Sequence, residues 1–114
     1  MLLRYIIIKV KNLQRAKEFY VKLLEQEPYK EEVDRIVVFK LENIKIGLYN
    51  PLADGDVVND DDFTNCRPAW THDLPSELDR ISHLTTITNQ HTVDSHERFE
   101  FEDSEGNILE VHKI

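Results

Sequence analysis

The strongest constraint on this chain is that it reads as one structural unit written twice. From Leu3 to Lys11, Ile6, Ile8 and Val10 alternate with Tyr5, Ile7 and Lys9, the two-residue period of a strand. Asn12 then precedes Leu13, and Ala16, Phe19, Tyr20, Leu23 and Leu24 recur at helical spacing until Pro28, which predicts an amphipathic helix capped by Asn12. A weak strand near Tyr29 to Val33 follows, and then the apolar stretches Arg35 to Leu41 and Ile44 to Asn50, joined as a hairpin by Glu42-Asn43.

The same order returns after a polar stretch. Cys66 to His72 reads as a strand, and Asp73 is placed to cap a helix in which Leu74, Leu78, Ile81 and Leu84 share one face, with Pro75 in its first turn. Short strands are expected at Thr85 to Thr88, Arg98 to Glu102 and Asn107 to Lys113. Asn12-Leu13 corresponds to Asp73-Leu74, and Ile46-Gly47-Leu48 to Leu109-Glu110-Val111. The expectation is an α+β fold of two βαβββ modules in a single domain spanning 1–114. Module one covers about 1–50, the linker about 51–65 and module two about 66–114.

Composition narrows the partners. With 114 residues, 40% hydrophobic and 32% charged, the chain has the balance of one globular domain. Aliphatic and aromatic runs such as Ile36 to Phe39 are no longer than four residues, far short of the roughly 20 residues of a membrane span. No signal peptide is visible, and a cytoplasmic setting is expected. The net charge of −8 would repel a phosphate backbone, so no nucleic-acid partner is expected. Cys66 is the only cysteine, which excludes an intrachain disulfide and a cysteine zinc cage. Asp54, Asp56, Asp60, Asp61 and Asp62 around Gly55 lack the spacing and closing glutamate of an EF-hand, and read as a solvated loop.

A sheet with one helix buries one face on that helix, here Ile6, Ile8, Val10, Ile46 and Leu48 against Phe19 and Leu23. Alternation then assigns the opposite face to Tyr5, Ile7, Lys9, Lys45, Gly47 and Tyr49 in module one. In module two it assigns Cys66, Pro68, Trp70, His72, Ile108, Glu110 and His112. Tyr5, Tyr49 and Trp70 form an aromatic set suited to stacking on a flat ligand. Glu110, on a face with Tyr5, Ile108 and Trp70, suits either a desolvated general base or an acceptor for a cationic or hydrogen-bonding ligand group. Cys66 is read as a buried small residue or a nucleophile, with no histidine placed to activate it. His72, Glu110 and His112 have the composition of a non-haem iron site, but Glu110 and His112 lie ~7 Å apart along one strand and nothing fixes His72 beside them. They are read as polar groups, and His83, His91 and His96 as surface histidines of the second helix and the loops after it.

Asn12 to Tyr20 (NLQRAKEFY) and Phe101 to Val111 (FEDSEGNILEV) resemble the two signatures of the vicinal oxygen chelate superfamily, which includes glyoxalases, bleomycin-resistance proteins and extradiol dioxygenases. The resemblance covers nearly the whole chain and implies a half-barrel cleft and a homodimer. It also implies metal-ligand positions at Tyr5, Gly47, Cys66 and Glu110, of which only Glu110 is a usual ligand there. No metal and no cofactor are therefore expected. Two functions follow from the resemblance. One is a metal-free protein of the bleomycin-resistance sort that binds a small, aromatic or cationic molecule through Tyr5, Ile7, Tyr49, Cys66, Trp70, Glu110 and His112. The alternative is a metal-dependent enzyme similar to lactoylglutathione lyase or an extradiol dioxygenase.

Overall fold

The computed structural model describes residues 1–56, 68–93 and 96–113. The chain divides into two compact units, Met1–Thr64 and Asn65–Ile114. The first contains β1 (Tyr5–Lys9), α1 (Leu13–Leu24), β2 (Lys30–Glu32), β3 (Ile36–Lys40) and β4 (Lys45–Tyr49), followed by a 3-10 turn at Pro51–Asp54. The second contains β5 (Ala69–His72), α2 (Leu74–Leu84), β6 (Ile87–Val93), β7 (His96–Glu102) and β8 (Ile108–Lys113). Each unit is thus βαβββ, the α+β order expected from the repeat.

The strand order is the same in both sheets, β1-β4-β3-β2 and β5-β8-β7-β6. The first and last strands of each unit pair in parallel across the helix connection, and the last three form an antiparallel meander. Helix α1 begins where the Asn12 side chain accepts a hydrogen bond from the Arg15 amide at 3.0 Å. It ends at Glu25, in the left-handed region at φ 53°, three residues before Pro28. Asp73 occupies the corresponding position before α2, but its side chain makes no capping hydrogen bond. Pro75 presets the first turn there instead.

In the first unit Ile8, Val10, Ile46, Leu48 and Phe39 bury against Ala16, Tyr20 and Leu23 of α1. Tyr20 is the fully buried aromatic of α1, 6.4 Å from the equally buried Phe39 ring, whereas Phe19 is half-buried and packs edge-on against Tyr20. The second core gathers Phe99, Phe101, Leu109, Val111 and Ile81. Each such side chain is worth about 1.5–3 kcal/mol of transfer free energy, so the helix-side faces hold the units together and leave the opposite faces for other roles.

Between β7 and β8 the second signature does structural work. Asp103 Oδ1 accepts from the Glu105 and Asn107 amides, both at 2.8 Å, and Asp103 Oδ2 accepts from Asn107 Nδ2 at 3.0 Å. Gly106 supplies the positive φ of 89° that the turn requires. The buried carboxylate is satisfied by the backbone it bends, and the turn fixes the register that carries Glu110.

Two expectations need correction. Strands β6 and β7 are seven residues each, so His91 lies in β6 and His96 opens β7, where loops were expected. The segment ITNQHTV is polar on both faces, so hydrophobic alternation understates it, and pairing with β7 defines it instead. In β5, Ala69 pairs with Glu110 and Trp70 with Val111. Trp70 therefore shares the helix-side face, with its ring 6.5 Å from Phe101, and not the face of Glu110. The expected parity of this strand was displaced by one residue, which exchanges its faces.

Candidate functional site

On the first sheet, the face away from α1 carries Tyr5, Ile7 and Lys9 from β1, paired with Lys45, Gly47 and Tyr49 of β4, as expected. Ile36, Val38 and Lys40 of β3 continue that face. A Cβ built on Gly47 would lie 2.8 Å from Ile7 Cδ1 and 3.4 Å from Ile36 Cδ1. The two isoleucines thus close over the glycine, and the middle of the face is apolar. Tyr5, 45% exposed, has Lys45 Nζ 5.2 Å from its ring centre and 3.5 Å from its hydroxyl oxygen. Tyr49 donates its hydroxyl hydrogen to Asp54, and Arg35 holds the other carboxylate oxygen of Asp54 at 3.3 Å. The hydrogen bond to Asp54, then burial and the negative charges of Asp54 and Asp56, raise the Tyr49 phenol above its ordinary pKa.

On the second sheet, the face away from α2 is polar. Glu110, 7% exposed, accepts a hydrogen bond from His112 Nε2 at 2.9 Å on one carboxylate oxygen and faces Arg98 Nη1 at 3.6 Å on the other. Glu100 stands directly across from Glu110, and Arg98 from His112. His91, paired with Arg98 across β6 and β7, brings Nε2 to 3.5 Å from Glu100, within ion-pair distance when the ring is protonated. Neither that nitrogen nor Arg98 Nε has a hydrogen-bond partner among the described residues, although both are buried.

Of the sequence-derived site residues, Tyr5, Ile7 and Tyr49 share one face of the first sheet, and Glu110 and His112 share one face of the second. Trp70 is on the opposite face from Glu110, and Cys66 lies outside the described residues. Sequence reasoning missed Arg98, Glu100 and His91. Counting outward from the Asp103–Asn107 turn would have placed Glu100 opposite Glu110 and Arg98 opposite His112. Among the described residues no three His, Cys, Asp or Glu side chains converge as a metal-binding group.

No protein-family model and no curated protein matches the sequence. Solved structures do match the backbone. A lactoylglutathione lyase from Agrobacterium tumefaciens aligns with TM-score 0.80 at 15% identity, over 97% of this chain and 92% of that one. A glyoxalase/bleomycin resistance protein from Catenulispora acidiphila aligns with TM-score 0.71 at 17% identity, over 100% and 99%. The chain has the vicinal oxygen chelate fold. A further protein of that fold is a mutant fosfomycin resistance protein from Listeria monocytogenes, complexed with Mn(II) and a dihydroxypropylphosphonic acid. It aligns with TM-score 0.76 at 15% identity, over 99% of this chain and 91% of that one.

Of the metal-ligand positions that the resemblance implies, Tyr5, Gly47 and Glu110 are among the described residues, and their surroundings oppose a divalent ion. Gly47 has no donor and lies under Ile7 and Ile36. Tyr5 has an ammonium over its ring, and a neighbouring positive charge opposes a metal cation. Glu110 already faces a guanidinium and an imidazole. A divalent ion at Glu110 would have to displace the Arg98 charge or share the carboxylate with it.

Proposed function

We propose that the protein binds a small, partly aromatic molecule on the sheet faces turned away from its helices, as a binding protein without a resident metal. The observation that carries this reading is Glu110. It is the one usual ligand at the expected metal positions, and Arg98 and His112 hold its carboxylate. The same pairing weakens the reading of Glu110 as an open acceptor for a cationic ligand or as a free general base, since either role needs a lone pair released from a partner. Tyr5, Ile7 and Tyr49 remain as the apolar and aromatic surface, with an exposed face on Tyr5. Trp70 drops out because it packs on Phe101.

The neighbours' names, a lactoylglutathione lyase and a glyoxalase/bleomycin resistance protein, support either a lyase or a resistance-type binding protein, and Glu110 favours a metal-using lyase only if a metal can compete with Arg98. A thermal-shift screen of small molecules on chelator-treated protein tests the choice. Metal-free binding predicts stabilisers whose effect is unchanged by chelator and reduced by Tyr5→Ala. Turnover of a hemithioacetal or a catechol on adding Ni(II), Zn(II), Mn(II) or Fe(II) would replace it with the enzyme reading. A homodimer is part of the proposal, because β1, β2, β5 and β6 are edge strands and Tyr5 and Ile7 on β1 are 45% and 46% exposed. Light scattering that gives one chain mass at all concentrations would remove it. Among the described residues no helix is long and apolar enough to cross a membrane.

A further inference from the structure

Lys40 and Lys45 are cross-strand partners on β3 and β4, so two like charges stand opposite each other on one face of the first sheet. That arrangement is unfavourable unless something negative meets it. Lys45 Nζ lies 5.2 Å from the ring centres of both Tyr5 and Tyr29, and Lys40 Nζ lies 5.4 Å from that of Tyr29. The rings attract the ammonium groups but carry no net charge to cancel them. Among the described residues neither lysine has a carboxylate partner, in a chain with 22 acidic residues. Tyr5 and Tyr29 are 45% and 58% exposed, so the cluster is open to solutes. A groove of about 310 Å³ begins at the same two lysines. Leu2, Leu41 and Arg4 line it, with Glu42 as the acid among its described lining residues.

We infer that this end of the first sheet takes the anionic group, a carboxylate or a phosphate, of a small molecule whose apolar body lies along the tyrosines and leucines. Two ammonium donors on adjacent strands can share the oxygens of one oxyanion, and that charge-assisted contact relieves their mutual repulsion. The net charge of −8 works against any anion at long range, so a local pair of cations is what such a ligand would need. The inference rests on the reading that this sheet face receives a small molecule, and it assigns that molecule a negative charge.

The test follows backbone amide shifts of the isotope-labelled full chain during titration with phenyl phosphate, inorganic phosphate and phenyltrimethylammonium. Phenyl phosphate is expected to give saturating shifts at Tyr5, Lys40 and Lys45, with inorganic phosphate binding roughly fivefold more weakly for want of an apolar body. Lys40→Gln and Lys45→Gln should each weaken phenyl phosphate about tenfold. Lys9→Gln removes the same charge from the same face ~13 Å along β1, and should change affinity less than about twofold. Equal losses in all three variants, or no saturable shift at Tyr5, Lys40 and Lys45 with phenyl phosphate, would overturn the site. Binding of phenyltrimethylammonium at these amides in place of phenyl phosphate would overturn the negative charge while leaving small-molecule binding standing. Silence from every probe on both sheets would count against both.

Discussion

Glu100 and Glu110 stand directly opposite each other on β7 and β8, and Arg98, two residues from the first, lies 3.6 Å from the second. Two carboxylates on neighbouring strands repel, and with Glu110 side-chain exposure at 9% and Glu100 at 13% that repulsion is only partly screened by water. Arg98 sets a positive charge against Glu110, and His112 donates a hydrogen bond to the same carboxylate.

This asymmetry is measurable. Arg98→Ala leaves the buried Glu110 carboxylate opposite Glu100 without its guanidinium and should cost roughly 3 kcal/mol, the low end for breaking a buried ion pair because Arg98 is 32% exposed. Glu110→Gln keeps the shape and a hydrogen-bond acceptor, relieves the repulsion and leaves only the part-exposed Arg98 without its carboxylate, and should cost less, about 1 kcal/mol. Urea unfolding of both variants checks the order. A larger loss in Glu110→Gln than in Arg98→Ala would show that Arg98 does not hold the pair.

Much of this was legible in the sequence. Period-two alternation at Tyr5 to Lys9 and Lys45 to Tyr49 gave the correct faces because each strand is long enough to show its parity and Gly47 marks the register. The four residues of β5 are too short for that. Ala69, Trp70, Thr71 and His72 contain one large apolar side chain, and only the pairing of Trp70 with Val111 decides which way it points. The charged cluster around Glu110 was half visible for a related reason. Glu110 and His112 lie on one strand, but Arg98, Glu100 and His91 join them only through cross-strand register, which local periodicity does not carry.

Tyr49 should titrate late. Its hydroxyl donates to Asp54, which favours the neutral phenol and places its pKa above the usual tyrosine value in the folded chain. A raised folded-state pKa contributes stability that is present below the unfolded value of about 10 and lost as pH rises through the folded value. Asp54→Asn should bring the Tyr49 ring-carbon titration back toward about 10 and remove that alkaline dependence. A Tyr49 midpoint unchanged by Asp54→Asn would refute the coupling.

Gly47 tests how closed the first sheet face is. Gly47→Leu must push aside the terminal methyl groups of Ile7 and Ile36 and, because Ile7 is 46% exposed and can yield, should destabilise by about 1 kcal/mol, the low end of overpacking. Ile7→Ala in the same chain should recover about half of that loss by opening the space above position 47. Thermal melts of the two variants suffice. A stable Gly47→Leu with no gain from Ile7→Ala would mean that the isoleucines do not cover the glycine.

The proposed binding without a resident metal requires that Tyr5, Gly47 and Glu110, in their observed surroundings, do not hold a divalent ion. Titration calorimetry of Ni(II), Zn(II), Mn(II) and Fe(II) into chelator-treated protein, with Fe(II) under anaerobic conditions, measures this without knowledge of the ligand. No saturable site tighter than about 10 μM is expected, because Gly47 is covered, Tyr5 sits beside an ammonium and Glu110 is held by Arg98. One ion bound per chain at sub-micromolar affinity, and lost in Glu110→Gln, would contradict it.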